Sequence, residues 1–141
     1  MSVQTILVAH DGSEGAAHAL DWATALAQQT GARLVVARAW SPLDDLGKHH
    51  QHADFHQMHE EALNDLRAAC ADAIAAGVDV DTRIVEDLPV PGIVATALDC
   101  GADLIVCGTR GHGRVKELVL GSVARELPPR SHLPVTIVPP R

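Results

Sequence analysis

The chain has 141 residues, a formal net charge of −7, and 47% hydrophobic but only 2% aromatic residues. One domain over residues 1–141 is expected, large enough to bury roughly 70% of its unfolded surface around a core of Ala, Val, Leu and Ile. The acidic balance excludes general binding to nucleic acid or anionic membranes, which needs basic surface. No apolar run approaches transmembrane length and Met1-Ser2-Val3-Gln4 leads straight into a strand, so a soluble cytoplasmic protein is expected.

Thr5-Ile6-Leu7-Val8-Ala9 is a short continuous apolar run, the pattern of a central parallel strand buried on both faces. His10-Asp11-Gly12-Ser13 ends it with turn residues. Ser13 is placed to cap a helix from Glu14 to Gln29 carrying Leu20, Trp22 and Leu26, and Gly31 to end it. A second strand is expected over Ala32–Trp40, closed by Pro42. The polar stretch from Leu43 to His52 reads as a loop of the length kept for function or mobility. A long helix is predicted from Asp54 to Ala76, with Phe55, Leu63, Leu66, Cys70 and Ile74 on one face. Val78, Val80, Thr82 and Ile84 alternate with charged residues, which marks a half-exposed edge strand. Pro89 and Pro91 lead into a helix from Gly92 to Cys100. Leu104-Ile105-Val106-Cys107 is a fourth strand. A short helix from Ser122 to Leu127, limited by Pro128 and Pro129, precedes a fifth strand, Pro134–Val138. Strands alternating with helices predict a parallel sheet with helices on both faces and a ligand crevice beyond the carboxyl ends of the strands.

The stretch from Gly108 to Arg114, closing at Gly121-Ser122, follows the fourth strand. Its glycines at 108, 111 and 113 permit positive φ and close approach of a ligand to the main chain. Arg110, Arg114 and Lys116 make it locally cationic within an acidic protein, and exposed amides in such a loop form an anion-binding concavity. Ser122 stands where it can cap the next helix or donate to a phosphate. The alternative is a surface loop whose glycines serve only turns.

These residues resemble the universal stress protein family. Ile6-Leu7-Val8-Ala9-His10-Asp11-Gly12-Ser13-Glu14 is similar to its first strand and turn, and Ala102–Gly111 to its fourth strand. Gly108-x-x-Gly111, nine residues, then Gly121-Ser122 is similar to the pattern of its nucleotide-binding members, and Pro134–Val138 to the terminal strand. The resemblance implies an α/β fold with a single open five-stranded parallel sheet of order 3-2-1-4-5. It also implies a homodimer through the fifth strand and ATP as ligand, and Mg²⁺ is expected to accompany the triphosphate. Carried over, Asp11 faces the ribose or adenine, and the backbones of Ala9 and Ala39 border the adenine. Gly108, Thr109, Arg110, Gly111, His112, Gly113 and Arg114, with Gly121, Ser122 and Val123, hold the ribose and phosphates. Asp11 also fits an Asx-turn that closes the first strand. Asp87-Leu88-Pro89-Val90-Pro91 departs from the glycine-bearing turn usual in the family, and Glu126-Leu127-Pro128-Pro129 from its longer final helix.

Other constellations point less far. His49, His50, His52, His56 and His59 read as a solvated loop and helix start, with a metal site formed by His52, His56 and His59 as the alternative. Cys70, Cys100 and Cys107 have no CxxC spacing and read as buried thiols of a reducing compartment. No catalytic residue is singled out. The reading is an ATP-binding regulatory protein of the stress response, with little or no hydrolysis. A nucleotide-independent homodimeric scaffold is the alternative, and an adenylyl-transferring or ATP pyrophosphatase enzyme the third.

Overall fold

In a computed structural model, which describes residues 2–41, 54–110 and 120–141, the N-terminal apolar run is strand β1 (Thr5–Ala9). It pairs in parallel with β2 (Arg33–Trp40) on one side and β4 (Leu104–Gly108) on the other. Strands β3 (Val80–Glu86) and β5 (Val135–Val138) add to the outer flanks, also parallel, giving the order β3-β2-β1-β4-β5. The expected sheet is therefore present, and the half-exposed alternation of β3 has its cause in that strand's edge position.

Strand periodicity divides the core in two. Ile6, Val8, Leu34, Val36 and Val106 face α1 (Glu14–Thr30), α2 (Phe55–Ala69) and α3 (Ala71–Ala75). Leu7, Val35, Ala37, Ile105 and Cys107 face α4 (Pro89–Cys100) and α5 (Ser122–Ser131). With both faces covered, the strands can be apolar at every position. At the amino ends, Asp103 Oδ2 accepts from the Gln4 and Thr5 amides at 2.9 and 3.0 Å, and the Asp103 amide donates to Thr5 O. This carboxylate fixes the register of β1 against β4, and those two amides hold its pKa below the usual carboxylate range.

Helix α1 is bounded as expected. Ser13 Oγ accepts from the Ala16 amide at 3.2 Å, and Gly31, at φ 75°, donates to Ala27 O. Trp22, however, is 41% exposed, and the core face of α1 is made of Ala16, Ala19, Leu20, Ala23 and Ala27. The long helix expected after the polar loop is two helices, broken at Cys70. Its buried side is Met58, Ala62, Leu66, Cys70 and Ala73, while Phe55 and Ile74 are exposed. The small alanines allow close packing on the sheet, and they share the buried face with Leu20, Met58 and Leu66 while Trp22, Phe55 and Ile74 fall outside it. Helix α4 begins at Pro89, three residues earlier than expected, because prolines in a first turn forfeit no intrahelical bond.

Helix α5 does not stop before Pro128-Pro129. It runs to Ser131 and ends on His132 at φ 56°. The prolines already carry a helical φ, and both are exposed, so their rings meet no packed neighbour. Leu127, fully buried, and Ser131 hold that turn against the core. Restoring a donor should therefore help. Pro128→Ala is expected to raise unfolding free energy by roughly 1–3 kcal/mol in urea titrations, and a loss of stability would contradict this account of α5.

Candidate functional site

The carboxyl ends of β1, β2 and β4 meet where the chain order of the sheet reverses, the place at which open parallel sheets bind ligands. A cavity of about 380 Å³ opens there on the α4/α5 side. Ala9, Ala37, Ala39 and Cys107 line its sheet side. Their small side chains are what leave the space. Pro89 and Ile93, from the first turns of α4, form another wall.

Three main-chain segments close the cavity. The first is the turn from β1 to α1. Asp11 Oδ1 accepts from the Ser13 amide at 2.9 Å, so the Asx-turn alternative is real, and Asp11 lines the cavity as well. The second is the exit of β4, Gly108, Thr109 and Arg110. Gly108 is a correction to the sequence reading, since it lies outside the positive-φ glycines. Its need is steric. A Cβ at 108 would stand 3.1 Å from the carbonyl carbon and oxygen of Gly15, and a Cβ at Gly15 would stand 3.3 Å from Arg110 O. The pair of glycines lets the first turn of α1 lie directly on the end of β4.

The third segment is the start of α5. Gly121 is the N-cap, at φ −63°, and Ser122 is the first helical residue, so Ser122 does not cap the helix as expected. Among the described residues no side chain caps this end. The Gly121 amide donates to Thr109 O at 2.7 Å, which ties the helix start to the exit of β4. The following amides belong to a first turn that has no intrahelical acceptors and carries partial positive charge. Gly121, Ser122, Val123 and Ala124 line the cavity there, as does Arg110 on the β4 exit.

The structure thus gathers Ala9, Asp11, Ala39, Gly108, Thr109, Arg110, Gly121, Ser122 and Val123 around one cavity. Gly111, His112, Gly113 and Arg114 lie outside the described residues, as do His49, His50 and His52. Sequence reasoning missed Pro89, Ile93 and Leu120, which line the cavity, and gave His10 no role beyond the turn. Ala37 was findable, since it lies two residues before Ala39 on the same strand face. Cys107 is buried, and burial pushes its thiol up to about 11, so it serves as an apolar surface and not as a nucleophile. Cys70 and Cys100 are likewise free and buried. His59 packs edge-on against Trp40, with ring centroids 5.8 Å apart, while His56 is exposed. Among the described residues no cluster of His, Cys, Asp and Glu is arranged to hold a metal ion, and no helix is long and apolar enough to cross a membrane.

Residues 2–139 match the universal stress protein family. The chain belongs to that family. It is 38% identical over 138 residues to the universal stress protein in the QAH/OAS sulfhydrylase 3′ region of Thermus aquaticus, covering 96% of this chain and 98% of that protein. It is 32% identical over 143 residues to universal stress protein YxiE of Bacillus subtilis, covering 94% and 97%. Among solved structures, this universal stress protein superposes on MJ0577 of Methanocaldococcus jannaschii with a TM-score of 0.86 at 26% identity, over 100% of this chain and 99% of that one. It superposes on a universal stress protein solved in complex with cAMP with a TM-score of 0.76 at 30% identity, over the whole of both chains.

Proposed function

We propose that this universal stress protein binds an adenine nucleotide, ATP with Mg²⁺, at the carboxyl ends of β1, β2 and β4, and that occupancy of the site is its regulatory output. The observation that carries the reading is the pairing of two unlike surfaces in one cavity. A floor of small apolar side chains suits a flat base. The start of α5, with Arg110 in the same lining, suits its phosphates. Asp11 can accept from ribose hydroxyls, as acidic residues do in other nucleotide folds. Mg²⁺ would be held by phosphates and water rather than by a protein cage. The relative solved with cAMP supports an adenine nucleotide as the ligand class, and so does the spacing of Gly108, Gly111 and Gly121-Ser122.

Calorimetry with ATP, ADP, cAMP and adenosine tests this. ATP is expected to bind, and Arg110→Ala to weaken it by about tenfold, the loss of one charge-assisted hydrogen bond. The same variant should leave adenosine binding within about twofold. Equal losses for ATP and adenosine would remove Arg110 from the phosphate site. Little or no ATP hydrolysis is expected over hours. β5 is an edge strand, and pairing of two β5 edges would make the homodimer the family resemblance implies. Light scattering should then give twice the chain mass.

A further inference from the structure

His10 is 6% exposed and sits between the end of β1 and Asp11. Its amide donates to Ala37 O at 2.9 Å, which extends the β1–β2 pairing by one residue. Its ring acts on the turn. Nδ1 accepts from the Gly12 amide at 3.1 Å. That contact requires a hydrogen-free Nδ1, hence the neutral tautomer with its hydrogen on Nε2. Nε2 is itself buried with no hydrogen-bond partner among the described residues. Gly12 can direct its amide back at the ring because it takes φ 86°, and the Arg38 guanidinium packs against it, 3.6 Å from where a Cβ would stand.

We propose that His10 is a positioning residue for the nucleotide site. As a neutral imidazole it accepts the Gly12 amide hydrogen and holds the Asp11–Ser13 turn in its binding conformation. When Nδ1 takes a proton from solvent, it releases that turn and nucleotide binding weakens. This rests on the nucleotide reading above.

The reason is local. A proton on Nδ1 would set two N–H groups against each other at 3.1 Å, and among the described residues the other ring nitrogen has no acceptor to compensate. The turn must then open, and it carries both Asp11 and the Ser13 cap of α1. Burial lowers the pKa of His10 most. The Asp11 carboxylate beside it raises it, and Arg38, reaching over from β2, lowers it. A folded-state pKa below the unfolded value of about 6.5 means the stability this contact contributes is fully present above that value. It is lost as pH falls from there through the folded pKa.

The test uses two variants and pH. His10→Leu removes the acceptor. His10→Asn places an amide oxygen where it can take the Gly12 hydrogen but cannot titrate. At pH 7.5, His10→Leu is expected to weaken ATP binding by roughly three- to tenfold, and His10→Asn to recover most of that loss. Between pH 7.5 and 5.5 the wild type should lose more affinity than His10→Asn, by up to about tenfold. The comparison cancels the titration of the terminal phosphate itself. Parallel pH profiles for wild type and His10→Asn, or tighter wild-type binding in acid, would overturn the proposal.

A readout without nucleotide separates this from failure of the nucleotide reading. The Gly12 amide resonance of the free wild-type protein should titrate together with the His10 ring and stay fixed in His10→Asn. A Gly12 resonance indifferent to His10 would overturn the proposal even if ATP binds. If ATP does not bind but Gly12 follows His10, the turn assignment stands and the ligand is wrong.

Discussion

Gly108→Val is expected to cost about 1–3 kcal/mol, lower the melting temperature by roughly 3–10 °C and remove the nucleotide-induced shift in melting. The reason is the close approach of α1 to β4. The added Cβ would meet the carbonyl group of Gly15 at 3.1 Å. That neighbour is main chain in the first turn of a helix and cannot rotate away like a flexible side chain. The first turn of α1 must lift, carrying with it the Asp11–Ser13 turn. Stability and binding therefore fall together. Gly31→Ala is the control. Gly31 ends α1 at φ 75° with nothing within 4 Å of its Cβ position. Its substitution carries only the strain of a left-handed residue, about 1–2 kcal/mol, and should leave nucleotide binding intact. If Gly108→Val melts with the wild type, the packing of α1 on β4 is not as described.

Ala39→Phe separates binding from folding in the opposite way. Ala39 is near the carboxyl end of β2, pairs in register with Val85 and borders the cavity. Gly92, on α4, stands close enough that a Cβ there would lie 3.6 Å from the Ala39 Cβ. A larger side chain at 39 must turn into the open space, which is the space assigned to the base. The expected loss of ATP affinity is about thirtyfold or more, equivalent to about 2 kcal/mol. Unfolding free energy should change by less than about 1.5 kcal/mol, since the cavity receives the ring. Adenosine should be lost in parallel with ATP, unlike the pattern expected for Arg110→Ala. Undiminished ATP binding to Ala39→Phe would place the base elsewhere.

The sheet was legible because parallel strands covered on both faces need unbroken apolar runs. Ile6-Leu7-Val8, Leu34-Val35-Val36 and Leu104-Ile105-Val106-Cys107 have them, and they became β1, β2 and β4. Turn chemistry was legible at Ser13 and Gly31, where one residue type satisfies one backbone need. What stayed hidden depended on distances between elements. Nothing local in Gly108 says that its partner is Gly15, ninety-odd residues away, so it was read for backbone freedom and ligand approach and its packing role was missed. The long helix's face was right at Leu66 and Cys70 but wrong at Phe55 and Ile74, because alanines carry little weight in an apolar pattern yet define where a helix can touch a sheet. Pro128-Pro129 was read as a stop because the prohibition on proline is local, whereas Leu127 and Ser131 hold the helix from outside.

For the cavity, the strand ends and the glycine spacing marked Asp11, Gly108 and Gly121, and the family resemblance added Ala9 and Ala39. Pro89 and Ile93 had no such signal, since only the folding of α4 across the sheet brings them there. His10 stood in plain view, but a histidine in a turn has no local mark of what its ring accepts.

The most direct test of the nucleotide site is an amide-resolved titration of the intact chain with Mg²⁺-ATP, followed by NMR. Saturable shifts are predicted for Asp11, Ala39, Thr109, Gly121, Ser122 and Val123, with β3 and the outer surface of α2 unmoved. Absence of saturable shifts at millimolar nucleotide, or shifts confined to residues away from the carboxyl ends of β1, β2 and β4, would contradict it.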